Sequence, residues 1–267
     1  MKNQLVSAAG RAITSLLPAA FFAATVPAAD TSLYRLEHGL NELIYQISRS
    51  VVTVEGLAPV ASTQSQTDET IQSLVSTGIV YDLHGHILVS AEAVADRERI
   101  QVRFEDQVYS AALRGIDHQT GLAVIHTNRK VGVPATLGSA RGCAGQMVIA
   151  MGNAYGVRAC PSLGFCAGTR PDGTIQFSAP ITAGTVGGGL FDLSGSLVGL
   201  VVGGIGPSNR PEVGLAIPAH AIPDIVRHLL IEGDRPVGYI GVTTADIEIS
   251  PPVKLSPVNR MAASAAP

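Results

Sequence analysis

The 267-residue chain has no tryptophan, only six tyrosines and six phenylalanines, and three cysteines. Three cysteines are too few for a disulfide-stapled scaffold, so the fold must rest on a hydrophobic core. Charged residues make up 15% of the chain against 46% hydrophobic, the opposite of the balance in a disordered chain. No long basic run accompanies the net charge of −3, which disfavours a nucleic-acid partner. Beyond residue 29 no stretch is apolar enough to span a membrane. What is plentiful is 29 Gly and 16 Pro among many Val and Ile, a composition of short strands and many turns.

The first residues read as a targeting segment. Lys2 and Arg11 are followed by the apolar stretch 12–26 and then by Pro27-Ala28-Ala29. A basic region, an apolar region and small residues at a cut site form a signal peptide, with cleavage expected after Ala28 or Ala29. Retention as an anchor is the alternative, although Thr14, Ser15 and Pro18 interrupt the apolar run and make it short for a span of about 20 residues. Setting aside residues 1–29 removes two basic residues and no acid, which takes the net charge to −5. The mature protein is expected to be periplasmic or secreted, in an oxidising compartment.

Residues 30–48 read as a helix, with Leu33, Leu36, Leu40, Leu43, Ile44 and Ile47 near 3.6 spacing. Strands are expected at 51–54, 77–81, 86–90, 100–104, 108–116 and 122–127. A second series is expected at 147–151, 163–167, 175–178, 190–191, 196–202 and 214–217. Residues 61–73 are polar and read as an exposed loop. Asp82-Leu83-His84-Gly85 reads as a hairpin turn. Residues 223–231 close as a helix, with Gly233 as its stop. The sum is an all-β protein, a barrel or sandwich, ending in a Pro- and Ala-rich tail over 251–267.

The ordered string of motifs carries more weight than this periodicity. It runs Ser76-Thr77-Gly78-Ile79-Val80, Gly85-His86-Ile87-Leu88, Asp117-His118-Gln119-Thr120-Gly121-Leu122-Ala123-Val124 and Val148-Ile149-Ala150-Met151-Gly152-Asn153. It continues with Gly187-Gly188-Gly189-Leu190-Phe191, Gly214-Leu215-Ala216-Ile217-Pro218 and Gly238-Tyr239-Ile240-Gly241-Val242. Together, over roughly 34–242, these resemble the trypsin-like protease domain of the HtrA/Deg family. The resemblance implies two six-stranded antiparallel β-barrels flanked by an N-terminal and a C-terminal helix. It also implies an active cleft between the barrels and, usually, a trimer. The domains expected are residues 30–130 for the first helix and barrel, and 131–236 for the second barrel and closing helix. Residues 237–267 would be a stub and tail. They resemble the start of that family's PDZ domain but are too short to hold one, so that module is expected to be absent.

The same resemblance places the chemistry, and there the chain departs. A family protease needs a Ser nucleophile, a His to take its proton and an Asp to orient the His. The His position falls in Val89-Ser90-Ala91-Glu92-Ala93-Val94, on Glu92. The Asp position falls on Gly121. The Ser position falls in Gly184-Thr185-Val186-Gly187, on Val186. Valine has no heteroatom and can form no acyl intermediate. A carboxylate is a weak base for a hydroxyl near neutral pH, and glycine can orient nothing. The reading is therefore a catalytically inactive pseudoprotease acting on a protein or peptide partner. It would be a binding or scaffold subunit, as a homotrimer or a mixed trimer with an active paralogue, and would need no cofactor. One alternative is a hydrolase with a displaced nucleophile, Thr185 or Ser178 acting with Glu92.

Further candidates follow from position. The turn Gly184, Thr185 and Gly187 would be a vestigial oxyanion loop, its N–H groups forming a binding nest. The glycines equally serve a tight turn with no ligand. Val201, Val202, Gly203 and Gly204 would be the wall of a vestigial specificity pocket, open to a peptide by strand addition. His84 and His86 are metal-ligand candidates, the basis of a second alternative, a periplasmic metal-binding structural subunit. Cys160 and Cys166 are expected to pair across a short loop, leaving Cys143 free.

Overall fold

Neighbouring residues on the same strand feed different cores. Val51, Leu88, Leu122 and Val124 belong to one buried cluster, while Val52, Ile87, Val89, Ala123 and Ile125 belong to another. A strand buried on both faces shows a continuous apolar run rather than alternation, which is why His86-Ile87-Leu88-Val89 and Leu122-Ala123-Val124-Ile125 read as blocks. The computed structural model describes residues 31–59, 71–138, 143–154, 157–182, 184–206 and 212–236. The expected signal peptide and the stub and tail from residue 237 onward lie outside the described residues.

After helix α1 (Thr31–Ser48) come β1 (Val51–Pro59), β2 (Ile71–Val80), β3 (His86–Ser90), the single-turn helix α2 (Ala91–Val94), β4 (Arg99–Phe104), β5 (Gln107–Asp117) and β6 (Leu122–Thr127). These six strands close a barrel in the order β1-β2-β3-β6-β5-β4. The second half holds β7 (Met147–Ala154), β8 (Val157–Thr169), β9 (Ile175–Phe177), β10 (Gly189–Asp192), β11 (Leu197–Ile205) and β12 (Val213–Pro218), then a 3-10 turn and helix α3 (Ile222–Ile231). They close a second barrel in the order β10-β11-β12-β9-β8-β7. All pairings between these strands are antiparallel, and the fold is the all-β pair of six-stranded barrels with two flanking helices that the resemblance implies.

One apolar cluster fills each barrel, and a third lies between them. In that third cluster Ile79, Leu88 and Leu122 of the first barrel meet Ile149, Met151, Phe191 and Leu200 of the second. Ile222, Ile225, Val226 and Leu229 of α3 close over it, as does Ile47 of α1. Burying each such side chain contributes roughly 1.5–3 kcal/mol, so the barrel interface is a core in its own right.

Three expectations are corrected. Residues 71–73, expected in a loop, belong to β2 and pair with 57–59 of β1; the rest of that expected loop, residues 61–70, lies outside the described residues. Residues 157–162, expected as connection, extend β8 into a 13-residue strand. That strand overturns the expected disulfide. Cys160 and Cys166 lie six residues apart on one extended strand, about 20 Å at 3.3 Å per residue, far beyond the reach of a disulfide. The bond joins Cys143 to Cys166, with Cα atoms 5.5 Å apart, and Cys160 is the free thiol.

Candidate functional site

β3 ends by delivering Ser90 and Glu92 to the groove between the barrels. The chain turns into α2 at Ser90, whose backbone is extended (φ −66°, ψ 137°). Ala93 and Val94 are buried in the first-barrel core, which anchors the turn, while Glu92 faces outward and is exposed. The Ala91 N–H donates to the Gly121 carbonyl at 2.8 Å, so the expected His and Asp positions meet although β4 and β5 separate them in sequence. Gly121 takes φ +75° in the β5–β6 turn, and a Cβ there would meet nothing within 4 Å. The turn is held by the fully buried Asp117, whose carboxylate accepts from the Gln119 N–H and the Thr120 hydroxyl, each at 3.0 Å.

The third position arrives from the second barrel. Gly184 to Gly187 form a tight turn clasped by β2. The Ser76 hydroxyl donates to the Val186 carbonyl at 2.9 Å. The Thr77 hydroxyl donates to the Gly184 carbonyl and accepts from the Asn153 N–H at 2.6 Å. Gly184 and Gly187 sit at φ +87° and +86°, and a Cβ on them would come within 2.1 Å of the Asn153 oxygen and 2.3 Å of the Thr77 oxygen. Such approaches require glycine whatever the function.

Val186 and Glu92 line one cleft of about 200 Å³ together with Ser76, Ser90 and Gly184; Leu74, Val75 and Ala93 supply its remaining, apolar wall. The structure thus gathers the three expected triad positions, two of them in the cleft and Gly121 directly behind it. Ser76 and Ser90 were not singled out by sequence reasoning. The signal was present in Ser76-Thr77-Gly78 and in the Ser90 just ahead of the turn, but only the tertiary fold sets their hydroxyls beside Val186 and Glu92.

The vestigial oxyanion loop is corrected in part. The Thr185 N–H donates to the Thr182 carbonyl at 3.0 Å and the Gly187 N–H to the Val201 carbonyl at 2.8 Å, so neither is free for a ligand. Among the described residues the N–H groups of Gly184 and Val186 have no acceptor. Thr185 is also withdrawn as a nucleophile. It is 4% exposed, and its hydroxyl lies 2.9 Å from that of Thr182 and accepts from the Thr182 N–H. Ser178 holds the β8–β9 pairing through the Phe165 N–H and does not line the cleft.

The expected specificity wall lies behind the turn. Val201 is buried and exchanges hydrogen bonds with Gly187 and Gly188. A register shift falls between Val201 and Gly203. Beyond Val201, β11 is paired with β12 on one side only: Gly203 and Gly204 face Leu215 and Gly214, and β10 ends opposite Leu200. Val202 packs on the inter-barrel core.

His84 and His86 lie at the far end of the first barrel from this cleft's lining. They converge on one carboxylate rather than on a metal: Asp82 Oδ2 is 2.7 Å from His86 Nδ1 and 3.5 Å from His84 Nδ1. Asp82 also accepts from the N–H groups of His84 and His86, which builds the hairpin turn. Burial works against its charge, but these hydrogen bonds from His86 and His84 outweigh it and hold the Asp82 carboxyl below its ordinary value. The His126 ring lies 5.0 Å from that of His86, tilted by 43°. Its Nδ1 faces Arg114 at 3.0 Å and its Nε2 the His84 carbonyl at 3.1 Å. Arginine only donates, so His126 is neutral with its proton on Nε2. Burial first, then the charges of Arg114 and His86, hold it below the ordinary histidine value. Both His126 nitrogens are committed, and among the described residues no group of three or more candidate ligands is placed to hold a metal ion.

Comparison with known proteins meets this geometry. Residues 76–200 match the family described as the trypsin-like peptidase domain. The serine endoprotease DegS of Escherichia coli (strain K12) is 31% identical over 201 residues, covering 70% of this chain and 56% of DegS. A probable periplasmic serine endoprotease, DegP-like, of Chlamydia trachomatis is 28% identical over 185 residues, covering 64% of this chain and 37% of that protein. The chain therefore spans about half the length, or less, of the curated relatives it matches. Among solved structures, the serine endoprotease from Yersinia pestis superposes with a TM-score of 0.63 at 24% identity, covering 76% of this chain and 71% of that one. The HtrA-type protease AlgW with a decapeptide gives 0.64 at 22%, covering 73% and 68%. With the paired barrels and the cleft where the aligned triad positions meet, these similarities place the chain in the HtrA/Deg family of trypsin-like proteases.

Proposed function

We propose that this chain is an exported, catalytically inactive member of its family that works by holding a protein or peptide in the former active cleft. The observation that carries the reading is the content of the three positions: Glu92, Gly121 and Val186. Acyl transfer needs a nucleophilic oxygen, a base to take its proton and a group to orient the base. Val186 offers only methyl groups to the cleft, and Gly121 offers no side chain to whatever stands at residue 92. What remains is suited to binding. The cleft keeps an apolar wall, two N–H groups without acceptors among the described residues and, beyond Val201, a strand edge that a peptide can extend. Export is supported by the leader pattern and by DegP-like relatives named as periplasmic. Assembly as a homotrimer, or with an active paralogue, follows from the family resemblance. Among the described residues no helix is long and apolar enough to cross a membrane.

The test is incubation of the purified protein with a fluorophosphonate probe and with casein. No labelling and no turnover are expected; labelling at a single Ser or Thr together with turnover would overturn the reading. One observation favours a second reading, a hydrolase with a displaced nucleophile: the Ser76 and Ser90 hydroxyls line the cleft beside Glu92. Ser76 already donates to the Val186 carbonyl, which leaves Ser90. If that reading held, Ser90→Ala and Glu92→Ala would each abolish the activity.

A further inference from the structure

The cleft carries one charge, and nothing among the described residues answers it. Glu92 is the one charged side chain among the described residues that line it. Three acids of the first barrel have partners: Glu55 has Arg103 at 2.9 Å, Asp82 has His86 and Asp117 has Arg235 at 3.7 Å. Glu92 has no hydrogen bond or ion pair among the described residues. Beside it stands Ser90, 5% exposed, whose hydroxyl caps nothing and finds no partner there. The residue is buried but its hydroxyl opens on the cleft, where it is available to a ligand. Two further donors lack acceptors among the described residues, the N–H groups of Gly184 and Val186. The remaining wall, Leu74, Val75, Ala93 and the Val186 side chain, is apolar.

We propose that the cleft selects a basic side chain. An extended peptide sets a carbonyl oxygen on the Gly184 and Val186 N–H groups, lays the stem of a lysine or arginine along Leu74 and Val75, and brings the cation to Glu92 and the Ser90 hydroxyl. The chemistry of each group matches: amides take a neutral carbonyl, methylenes take the apolar wall, and a carboxylate with a hydroxyl takes an ammonium or guanidinium. An acidic side chain is excluded by Glu92, and a volume of about 200 Å³ admits one side chain rather than a folded element. This inference rests on the peptide-binding reading and gives it a ligand class.

An array of extended hexapeptides, carrying every residue at each position, tests it with the whole purified protein. Lysine and arginine are expected to be enriched at one position. The best lysine peptide, measured by fluorescence anisotropy, should bind about fivefold tighter than its norleucine analogue, the upper range for a solvent-exposed ion pair. Glu92→Gln should reduce that preference to within about twofold, and Glu92→Lys should turn it towards acidic residues. Glu92 is exposed, and circular dichroism checks that both variants fold. Peptides that bind without charge preference, or a preference that survives Glu92→Gln, would overturn this inference alone. An array with no binder at all would overturn the peptide-binding reading along with it.

Discussion

Thr77 is the residue through which the first barrel grips the turn that carries Val186, and Thr77→Val measures that grip. Valine has the same shape, so the fully buried site gains no cavity. What goes is one oxygen with two hydrogen bonds, to the Gly184 carbonyl and from the Asn153 N–H. Each bond contributes about 0.5–1.5 kcal/mol net. Both orphaned groups keep one another, because the Asn153 N–H also reaches the Gly184 carbonyl at 3.2 Å. The full cost of a bare buried polar group is therefore not incurred, and the expected loss is about 2 kcal/mol. For a domain of this size that corresponds to a fall in Tm of about 4–8 °C. Urea unfolding of wild type, Thr77→Val and Thr77→Ser gives the comparison, with the serine variant within about 1 kcal/mol of wild type because it keeps the oxygen. Hydrogen exchange at the Asn153 amide should accelerate in the valine variant. A loss below about 0.5 kcal/mol for Thr77→Val, or equal losses for valine and serine, would refute the assignment of the turn to this hydroxyl.

Thiol counting of the unfolded, unreduced protein should find one reactive group, Cys160, and removing the Cys143–Cys166 bond, which spans 23 residues, should cost about 3 kcal/mol; three reactive thiols before reduction would refute the bond. Asp82→Asn should lower stability at neutral pH. Because the folded carboxyl titrates below its unfolded value near 3.8, the gap from wild type is full above that value and closes as pH falls through the folded one; a gap that widens in acid would refute the hydrogen-bonded turn. His126, followed by NMR, should titrate below 6.5 and move upward in Arg114→Ala. Since the unfolded chain takes up that proton first, stability should fall as pH drops through 6.5 and level off below the folded value; a downward move in the variant would refute the contact.

The legible strands were those whose both faces are buried, because Ile87-Leu88-Val89 and Leu122 to Ile125 announce themselves as apolar blocks. β2 was read too short because its outer residues, Gln72 and Ser73, look like loop. β8 is harder still to read: Arg158, Pro161 and Gly164 interrupt any pattern, although Pro161 and Gly164 both pair with β7, which β8 follows from Val157 to Phe165 before it turns to β9. The expected Cys160–Cys166 pairing fails with it, since a loop lets residues 160 and 166 meet and a strand does not. α2 has four residues, too few for any period to show. In the site, Glu92, Gly121 and Val186 follow from the motif order, whereas Ser76 and Thr77 act through contacts across more than a hundred residues and Ser90 through the cleft it shares with Val186, none of which a local pattern encodes.

The turn at 184–188 also shows why motif matches and chemistry part company here. Gly184, Gly187 and Gly188 are each held to glycine by backbone oxygens, of Asn153, Thr77 and Met151, that leave no room for a Cβ. Those constraints come from the packing of one barrel on the other and would act with any side chain at residue 186. The Val186 side chain points the other way, into the cleft, where its exchange for a hydroxyl changes no backbone contact. Gly121 is similar: its backbone carbonyl holds Ala91, and the space where a side chain would stand is empty. The glycine pattern that identifies the family is thus a record of barrel packing, and it persists on physical grounds whether or not the cleft retains a nucleophile. Only the side chains that enter the cleft report on the reaction, and in this chain they are, beside the apolar wall of Leu74, Val75 and Ala93, a carboxylate, two hydroxyls and the isopropyl group of Val186.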